Sequence, residues 1–470
     1  MKPRRAAEIA NMVGGRLSGD DALIGPDVVL DSRKATPGSL FVATPGARVD
    51  GHDFAASAAA AGAAGAFVSR LVDATLAQIL VPDTTEALGE LARQIATAAI
   101  GRGMTSLALT GSSGKTGTKD MLAQILEREG PTVAPRGSYN SELGLPVTVT
   151  GIDDDTRYLV AEMGATGAGH ISWLCNVAQP SIAAVLNVGH AHIGEFGSQQ
   201  AIAQAKGEIV EALPANGWAV LNADDPLVAA MASRTSANLA WFSASGTDVA
   251  EAARWVGARD VTLDAMDRAS FRLVGRTEQG TFDERVSLAT LGAHQVANAC
   301  AAAGMALCVG VEPSRVAAAL SAAVARSSWR MEPHTLADGT LLLNDAYNAN
   351  PDSVAAALAS LARLGAARPG LPMTAVLGDM LELGEQTLSA HETIGRRAAE
   401  IGAVVLAVGD QSARIVAGAR LAGGEAHAMA WSDVADWLAE QPAGIVLVKG
   451  SRGVGLERVV DLLEQRKEQA

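Results

Sequence analysis

The stretch Thr110-Gly111-Ser112-Ser113-Gly114-Lys115-Thr116 constrains this chain more than any other. It follows a short apolar run, Ser106–Thr110, and precedes a helical pattern predicted over Asp120–Glu129. Glycines let a backbone wrap closely around an anion, and amides at a helix start point toward it. A lysine placed there reaches the β- and γ-phosphates of a nucleotide, and the adjoining threonine hydroxyl suits Mg²⁺. Gly111, Ser112, Ser113, Gly114, Lys115 and Thr116 are therefore the candidate nucleotide-binding residues. The spacing GxxGKT is shorter than the usual GxxxxGKS or GxxxxGKT loop, so a glycine turn with a chance lysine stays open. The strand before and the helix after favour the nucleotide.

Around this loop the chain reads as alternating strands and helices. At 470 residues it is too long for one ordinary core, which predicts two to four domains. Before Gly101-Arg102-Gly103, which reads as a hinge, short strands are predicted at Ser39–Ala43, Ala66–Ser69 and Gln78–Val81. Thr84 or Thr85 would cap a helix carrying Leu88, Leu91 and Ile95. A second block adds strands at Leu159–Ala161 and Ile182–Leu186, and a β-rich stretch over 240–290. In a third block strands are predicted at Leu341–Leu343, Thr374–Leu377, Val404–Val408 and Ile445–Val448. Asn350 is placed to cap a helix, with Pro351 at its first position and Asp352 in its first turn. Strands alternating with helices predict parallel sheets with active loops at the strand carboxyl ends.

Single polar groups sit at several of those strand ends. Glu162 closes Tyr158–Ala161, and His190 and His192 follow Leu186-Asn187. A carboxylate and an imidazole beside a phosphate loop suit Mg²⁺, while each alone is a weak signal and a lone histidine is more often a hydrogen-bonded loop residue. Lys206 reads by default as a solvated helical lysine. In the third block Asn344–Pro351, Gly378-Asp379-Met380 and Lys449–Gly453 each follow an apolar strand. One such turn is explained by turn chemistry, but three on one sheet edge favour a site. The Lys449 and Arg452 pair suits carboxylate or phosphate contacts.

Composition removes other classes. A net charge of -14 and few aromatics argue against a nucleic-acid partner. Cys175, Cys300 and Cys308 form no CxxC or metal spacing and fit a reducing compartment. The basic start, Met1 to Arg5, has no apolar run behind it, and Phe54–Ser69 is too short to span a bilayer. A cytoplasmic protein without membrane insertion is expected.

The chain as a whole resembles the Mur ligase family. The matching segments are the phosphate loop, Asn140 to Pro146, Glu162-Met163-Gly164, Ala191-His192, Ala205-Lys206-Gly207-Glu208, Asn222 to Asp225 and His294 to Ala299. They continue with Asn344 to Ser353, Gly378 to Gly384 and Lys449 to Gly453. The resemblance implies three α/β domains. These are a UDP-substrate domain over 1–103, a central P-loop ATPase-type parallel sheet over 104–326 and a C-terminal Rossmann-like domain over 327–470. Asp31-Ser32-Arg33 and Arg48 to His52 look like its UDP-substrate segments, with Ser32 and Arg33 as contacts and Asn140 on the substrate side. It implies Thr116, Glu162 and His192 around Mg²⁺, Lys115 on the phosphates, and Asn298, Asp345 and Arg330 on the nucleotide. It also implies a carbamylated Lys206 holding a second Mg²⁺, and a monomer. Lys115, Lys206, His192 and Arg330 would carry catalysis.

Within the family the likeness is to members that add D-alanyl-D-alanine to UDP-MurNAc-tripeptide through an acyl phosphate, with Asn348 and Asn350 on the dipeptide. Two positions depart from the family pattern. Gly117 stands where a hydroxyl residue is common, and Trp329 where a small one is. Three rivals are distinguishable. A sister ligase for a diamino acid would carry Asp-Asn-Pro-Arg, which is not found here. A folylpolyglutamate synthase-like ligase would not need the Asp31 and Asp50 segments. A nucleotide switch has no use for three polar strand ends in a separate domain.

Overall fold

The computed structural model describes residues 1–46, 49–190, 193–249 and 252–469. Three main sheets follow one another along the chain. In the first, strands Leu40–Val42, Gly65–Val68 and Ala77–Leu80 pair in parallel, with Val28–Val29 on one edge and an antiparallel Arg16–Ser18 on the other. The helix Thr84–Gly101 follows. Its cap is Asp83, whose carboxylate accepts the amides of Thr85 and Glu86, and not Thr84 or Thr85 as the sequence predicts. Thr84 is instead buried, its hydroxyl donating to the Ala43 carbonyl at 3.1 Å. A carboxylate at the positive helix end is the stronger acceptor, which explains the difference.

The helix ends at Gly101, inside the expected hinge. Gly103 takes a left-handed φ of 101° and turns the chain directly into the strand Thr105–Thr110. Gly89 lies so close to the Trp173 ring that any Cβ would collide with it, and Trp173 donates its indole N–H to Glu86. Leu88, Leu91 and Ile95 share one apolar core with Leu145, Leu174 and Val177 of the next block.

The central sheet has nine strands, and Thr105–Thr110 lies between Tyr158–Glu162 and Ile182–Val185. Seven strands pair in parallel, and the last two form long antiparallel ribbons, Arg268–Thr277 and Gly280–Leu291. These pairings place the phosphate loop at the carboxyl end of a central strand, where ligands of such sheets bind. The third sheet runs in the spatial order Glu332–Thr335, Leu341–Asp345, Ile445–Lys449, Met373–Gly378, Val404–Val408 and Ala426–Ala428. All neighbours are parallel except the first pair.

The central and C-terminal units meet through a clamp as well as through the cavity described below. The turn before Arg268–Thr277 carries Asp267, buried at φ 58°, and its carboxylate receives a bidentate Arg363 from the helix Pro351–Ala366. Arg368 adds a hydrogen bond to the Ala265 carbonyl at 2.7 Å. Asp267→Asn keeps the size and the tolerance for positive φ but removes the charge. It is expected to lower stability by about 1–2 kcal/mol, read as a lower midpoint in denaturant. An unchanged midpoint would show that the clamp is energetically neutral.

Candidate functional site

The phosphate-loop helix spans Lys115–Leu126, starting five residues earlier than predicted. Gly114 is its cap at φ 80°, and a Cβ there would strike the Asn298 side chain, so glycine is needed twice over. The loop is pinned by Asn187, whose carbonyl accepts Ser112 N–H at 3.1 Å and whose side-chain oxygen accepts Ser113 N–H at 2.9 Å. Lys115 donates to the Gly111 carbonyl at 2.7 Å. Burial pushes its ammonium below the ordinary lysine value, with the Glu162 charge opposing that and Arg330 adding to it. Gly117 has a local reason: a Cβ there would press on the side chains of Asn298 and Gln295, which bond each other at 2.8 Å.

Above this loop lies a cavity of ≈ 500 Å³ whose walls come from the central and C-terminal units. Thr116, Asn140, Glu162, Asn298, Arg330, Asp345, Asn348 and Asn350 all line it, together with Ser112, Ser113, Gly114 and Lys115. Glu162 is 1 % exposed; one carboxylate oxygen accepts from Asn140 Nδ2 at 2.7 Å, and the other is buried without a partner. A buried carboxylate oxygen lacking a donor is a natural place for a hard cation. Among the described residues no cluster of three His, Cys, Asp or Glu forms. A cation here would accordingly rest on one carboxylate, the Thr116 hydroxyl and phosphate oxygens, the usual habit of Mg²⁺.

His192, the other proposed ligand, and Arg48 of the proposed UDP segment lie outside the described residues. Lys206 contradicts the default reading as a solvated lysine. It sits on the helix Gln199–Glu211, only 4 % exposed, because that face of the helix packs inward with Ile202, Ile209 and Val210. Burial first, and the Lys115 charge second, hold its amine well below the ordinary lysine value. Ser32 and Arg33 do not line the cavity; Ser32 is buried in the N-terminal unit, and Arg33 is held bidentately by Asp31.

On the C-terminal wall the side chains divide their roles. Asn350 uses its side-chain oxygen to cap the helix Pro351–Ala366, as the sequence predicts, in a reciprocal pair with Ser353. Asn348 is exposed, with its side-chain oxygen on the Ala349 amide. Lys449 and Arg452 do not act as a pair. Lys449 is buried on Asp345 at 2.6 Å and on the Asn348 carbonyl, whereas Arg452 stays half-exposed at the cavity rim.

Sequence reasoning missed Ser138. Its hydroxyl meets Thr116 Oγ1 at 2.9 Å and receives Arg330 Nη2 at 2.7 Å, joining the phosphate loop to the start of the C-terminal unit. Arg330 also stacks on Tyr347, 4.2 Å from the ring centre, and its Nε is buried without a partner. The fully buried Lys119 holds the Ser138 segment from behind through the Pro135 and Gly137 carbonyls. A lysine four residues beyond Lys115 is the one sequence signal that could have pointed there.

Family models cover most of the chain: the Mur ligase family catalytic domain over residues 27–95, the Mur ligase middle domain over 109–306 and the Mur ligase glutamate ligase domain over 329–452. The UDP-N-acetylmuramoyl-tripeptide–D-alanyl-D-alanine ligase of Mycobacterium bovis is 42% identical, over 97% of each chain. The crystal structure of MurF from Acinetobacter baumannii superposes with a TM-score of 0.85 at 32% identity, covering 99% of each chain. MurF ligase from Thermotoga maritima, solved in complex with ADP, gives 0.76 at 28% identity over 94% of this chain and 98% of that one.

Proposed function

The chain belongs to the Mur ligase family, and on that premise we propose that it joins D-alanyl-D-alanine to UDP-MurNAc-tripeptide at the expense of ATP, in peptidoglycan precursor synthesis. The observation that carries this reading is the likeness to ligases of that name along 97% of both chains. The ADP complex of the Thermotoga relative supports ATP as the nucleotide. The domains follow as proposed from the sequence, 1–103 for the UDP substrate, 104–326 for ATP and 327–470 for the acceptor.

The reaction has two steps. The terminal carboxylate of the tripeptide attacks the γ-phosphorus of ATP, giving an acyl phosphate and ADP. The dipeptide amine then attacks the acyl carbon, and phosphate leaves as the amide forms. Both steps concentrate negative charge. Lys115 and Arg330 converge on the same cavity, and Ser138 fixes Arg330 relative to the phosphate loop. Asn298, packed on Gly114, and Asp345 face the nucleotide, while Ser32, Arg33 and Asn140 serve the UDP substrate. Two Mg²⁺ ions would neutralise the phosphates, one held by Thr116, Glu162 and His192 and the other by a carbamylated Lys206.

An acyl phosphate hydrolyses, so water must be kept out. Contacts between the two walls do this at the cavity edge. His190 N–H donates to the Asp352 carboxylate at 3.0 Å, and Gly194 N–H to the Glu382 carbonyl at 3.0 Å. Among the described residues no helix is long and apolar enough to cross a membrane, and Cys175, Cys300 and Cys308 are free.

Phosphate release with UDP-MurNAc-tripeptide, with and without D-alanyl-D-alanine and with single amino acids as decoys, tests the reading. Release that depends on the dipeptide is expected; equal release with a single amino acid would reassign the chain to a sister ligase. Asn348→Ala should raise KM for the dipeptide more than KM for ATP, because its exposed amide lies on the acceptor wall. Equal rises in both would give Asn348 a nucleotide or folding role instead.

A further inference from the structure

We propose that Arg452, held against Trp329, is the receptor for the free carboxylate of the acceptor dipeptide, an inference that rests on the ligase reading above. The acceptor must present a neutral amine to the acyl carbon while its other end, a carboxylate, is anchored. A carboxylate entering a partly desolvated cleft needs a cation, and a guanidinium offers the matching fork of donors.

Four lysine or arginine side chains line the cavity: Lys115, Arg330, Lys449 and Arg452. Lys115 lies in the phosphate loop, and Arg330 is joined to that loop through Ser138. Lys449 is 3 % exposed and its ammonium is committed to Asp345 at 2.6 Å and the Asn348 carbonyl at 2.9 Å, whereas Arg452 is half-exposed and engages its own acidic partner, Glu457, through Nη1 alone. Arg452 remains. It stands on the acceptor wall, half-exposed, away from the phosphate loop's own contacts.

Its side chain is fixed on two sides and open on a third. The guanidinium carbon lies 4.4 Å from the centre of a Trp329 ring, and Nη1 donates to Glu457 at 2.6 Å. Among the described residues the edge bearing Nε and Nη2 has no protein partner. The backbone behind it is equally constrained. Ser451 is buried, its amide donating to the Asp379 carbonyl at 2.9 Å and its hydroxyl oxygen accepting Leu381 N–H at 3.0 Å. Trp329 is set by its own contacts: its N–H donates to Glu332 at 2.9 Å, its carbonyl accepts Tyr347 N–H at 3.2 Å, and its φ is 61°. The large ring of Trp329 thus has a use. It holds an arginine that would otherwise lose rotamer freedom on binding. Trp329 is a positioning residue, and Arg452 the one that touches substrate.

The test compares D-alanyl-D-alanine with its C-terminal carboxamide, D-alanyl-D-alaninamide, as acceptors in the phosphate-release assay. In the unmodified protein kcat/KM is expected to favour the carboxylate by on the order of 10- to 100-fold, the range of a charge-assisted hydrogen-bonded pair. Arg452→Ala should bring that ratio close to one, with KM for ATP within about twofold. Arg452→Lys should recover part of the ratio, a point charge without the fork. Trp329→Ala, which leaves the guanidinium but removes its platform, should give an intermediate ratio. An Arg452→Ala protein that keeps the original preference overturns the assignment, as does an unmodified protein that uses both acceptors equally. No dipeptide-dependent phosphate release from the unmodified protein would overturn the ligase reading itself, and the assignment with it.

Discussion

Lys115→Ala is expected to lower ligation by about a hundredfold or more while leaving the protein folded. The lysine is half-buried at the first position of the helix Lys115–Leu126, and among the described residues its one hydrogen bond goes back to the Gly111 carbonyl of its own loop. Removing it therefore deletes no contact between elements, and the stability change should stay within about 1 kcal/mol. The chemistry loses much more. In the transfer of the γ-phosphoryl group proposed here, charge would spread over oxygens held above this loop, and a fixed cation there would stabilise the transition state more than the ground state. The loss should consequently fall mainly on kcat, with a smaller rise in KM for ATP. Lys115→Arg should not rescue, because Gly111 and Gly114 are both so crowded that a Cβ would not fit, leaving no slack for a longer fork. Turnover by phosphate release and folding by circular dichroism check this. A folded Lys115→Ala protein with near-normal kcat would remove Lys115 from the phosphate site.

The phosphate loop could be read from the sequence because its requirements are local. Gly114 needs positive φ, Lys115 follows at once, and the flanking strand and helix are continuous runs. The Asn350 cap was readable for the same reason: acceptor, Pro351 and Asp352 are adjacent in the chain. The start of the phosphate-loop helix was not, since Lys115 to Lys119 carry too little apolar periodicity to mark it. The Asp83 cap is less legible: Asp83 and Thr84 both suit a cap by spacing, and alongside the greater acceptor strength of the carboxylate it is the distant Ala43 carbonyl that draws the Thr84 hydroxyl away. The separation of Lys449 from Arg452 depends on Asp345, 104 positions away from Lys449. Ser138 gains its meaning only when Arg330, 192 positions on, is brought to it. In each of these cases the missing information is a long-range contact, and the whole-chain resemblance supplied roles that spacing alone did not.

Lys206 is the sharpest instance of that limit, and it yields the second large expected effect: Lys206→Met should be folded and nearly inactive, with ligation lowered by on the order of a hundredfold or more. Methionine fills the volume of the lysine stem in a site that is 4 % exposed, so the helix Gln199–Glu211 keeps its packing. A bare ammonium in this place is unfavourable, since it is desolvated and feels the like charge of Lys115. Both influences favour the neutral amine, which is the form that attacks CO₂. The nitrogen lone pair forms the N–C bond, one proton is released, and the resulting carbamate is an anion with two oxygens. A carbamate here would turn the repulsion by Lys115 into attraction and would offer two oxygens to a second Mg²⁺. With ¹³C-labelled bicarbonate, the unmodified protein should show a carbamate carbon resonance that Lys206→Met lacks. In Lys206→Ala, where space is opened beside the helix, formate or acetate should restore part of the activity by supplying the missing carboxylate. A Lys206→Met protein with unmodified kinetics, or no carbamate resonance in an active preparation, would return Lys206 to the role of a buried structural lysine.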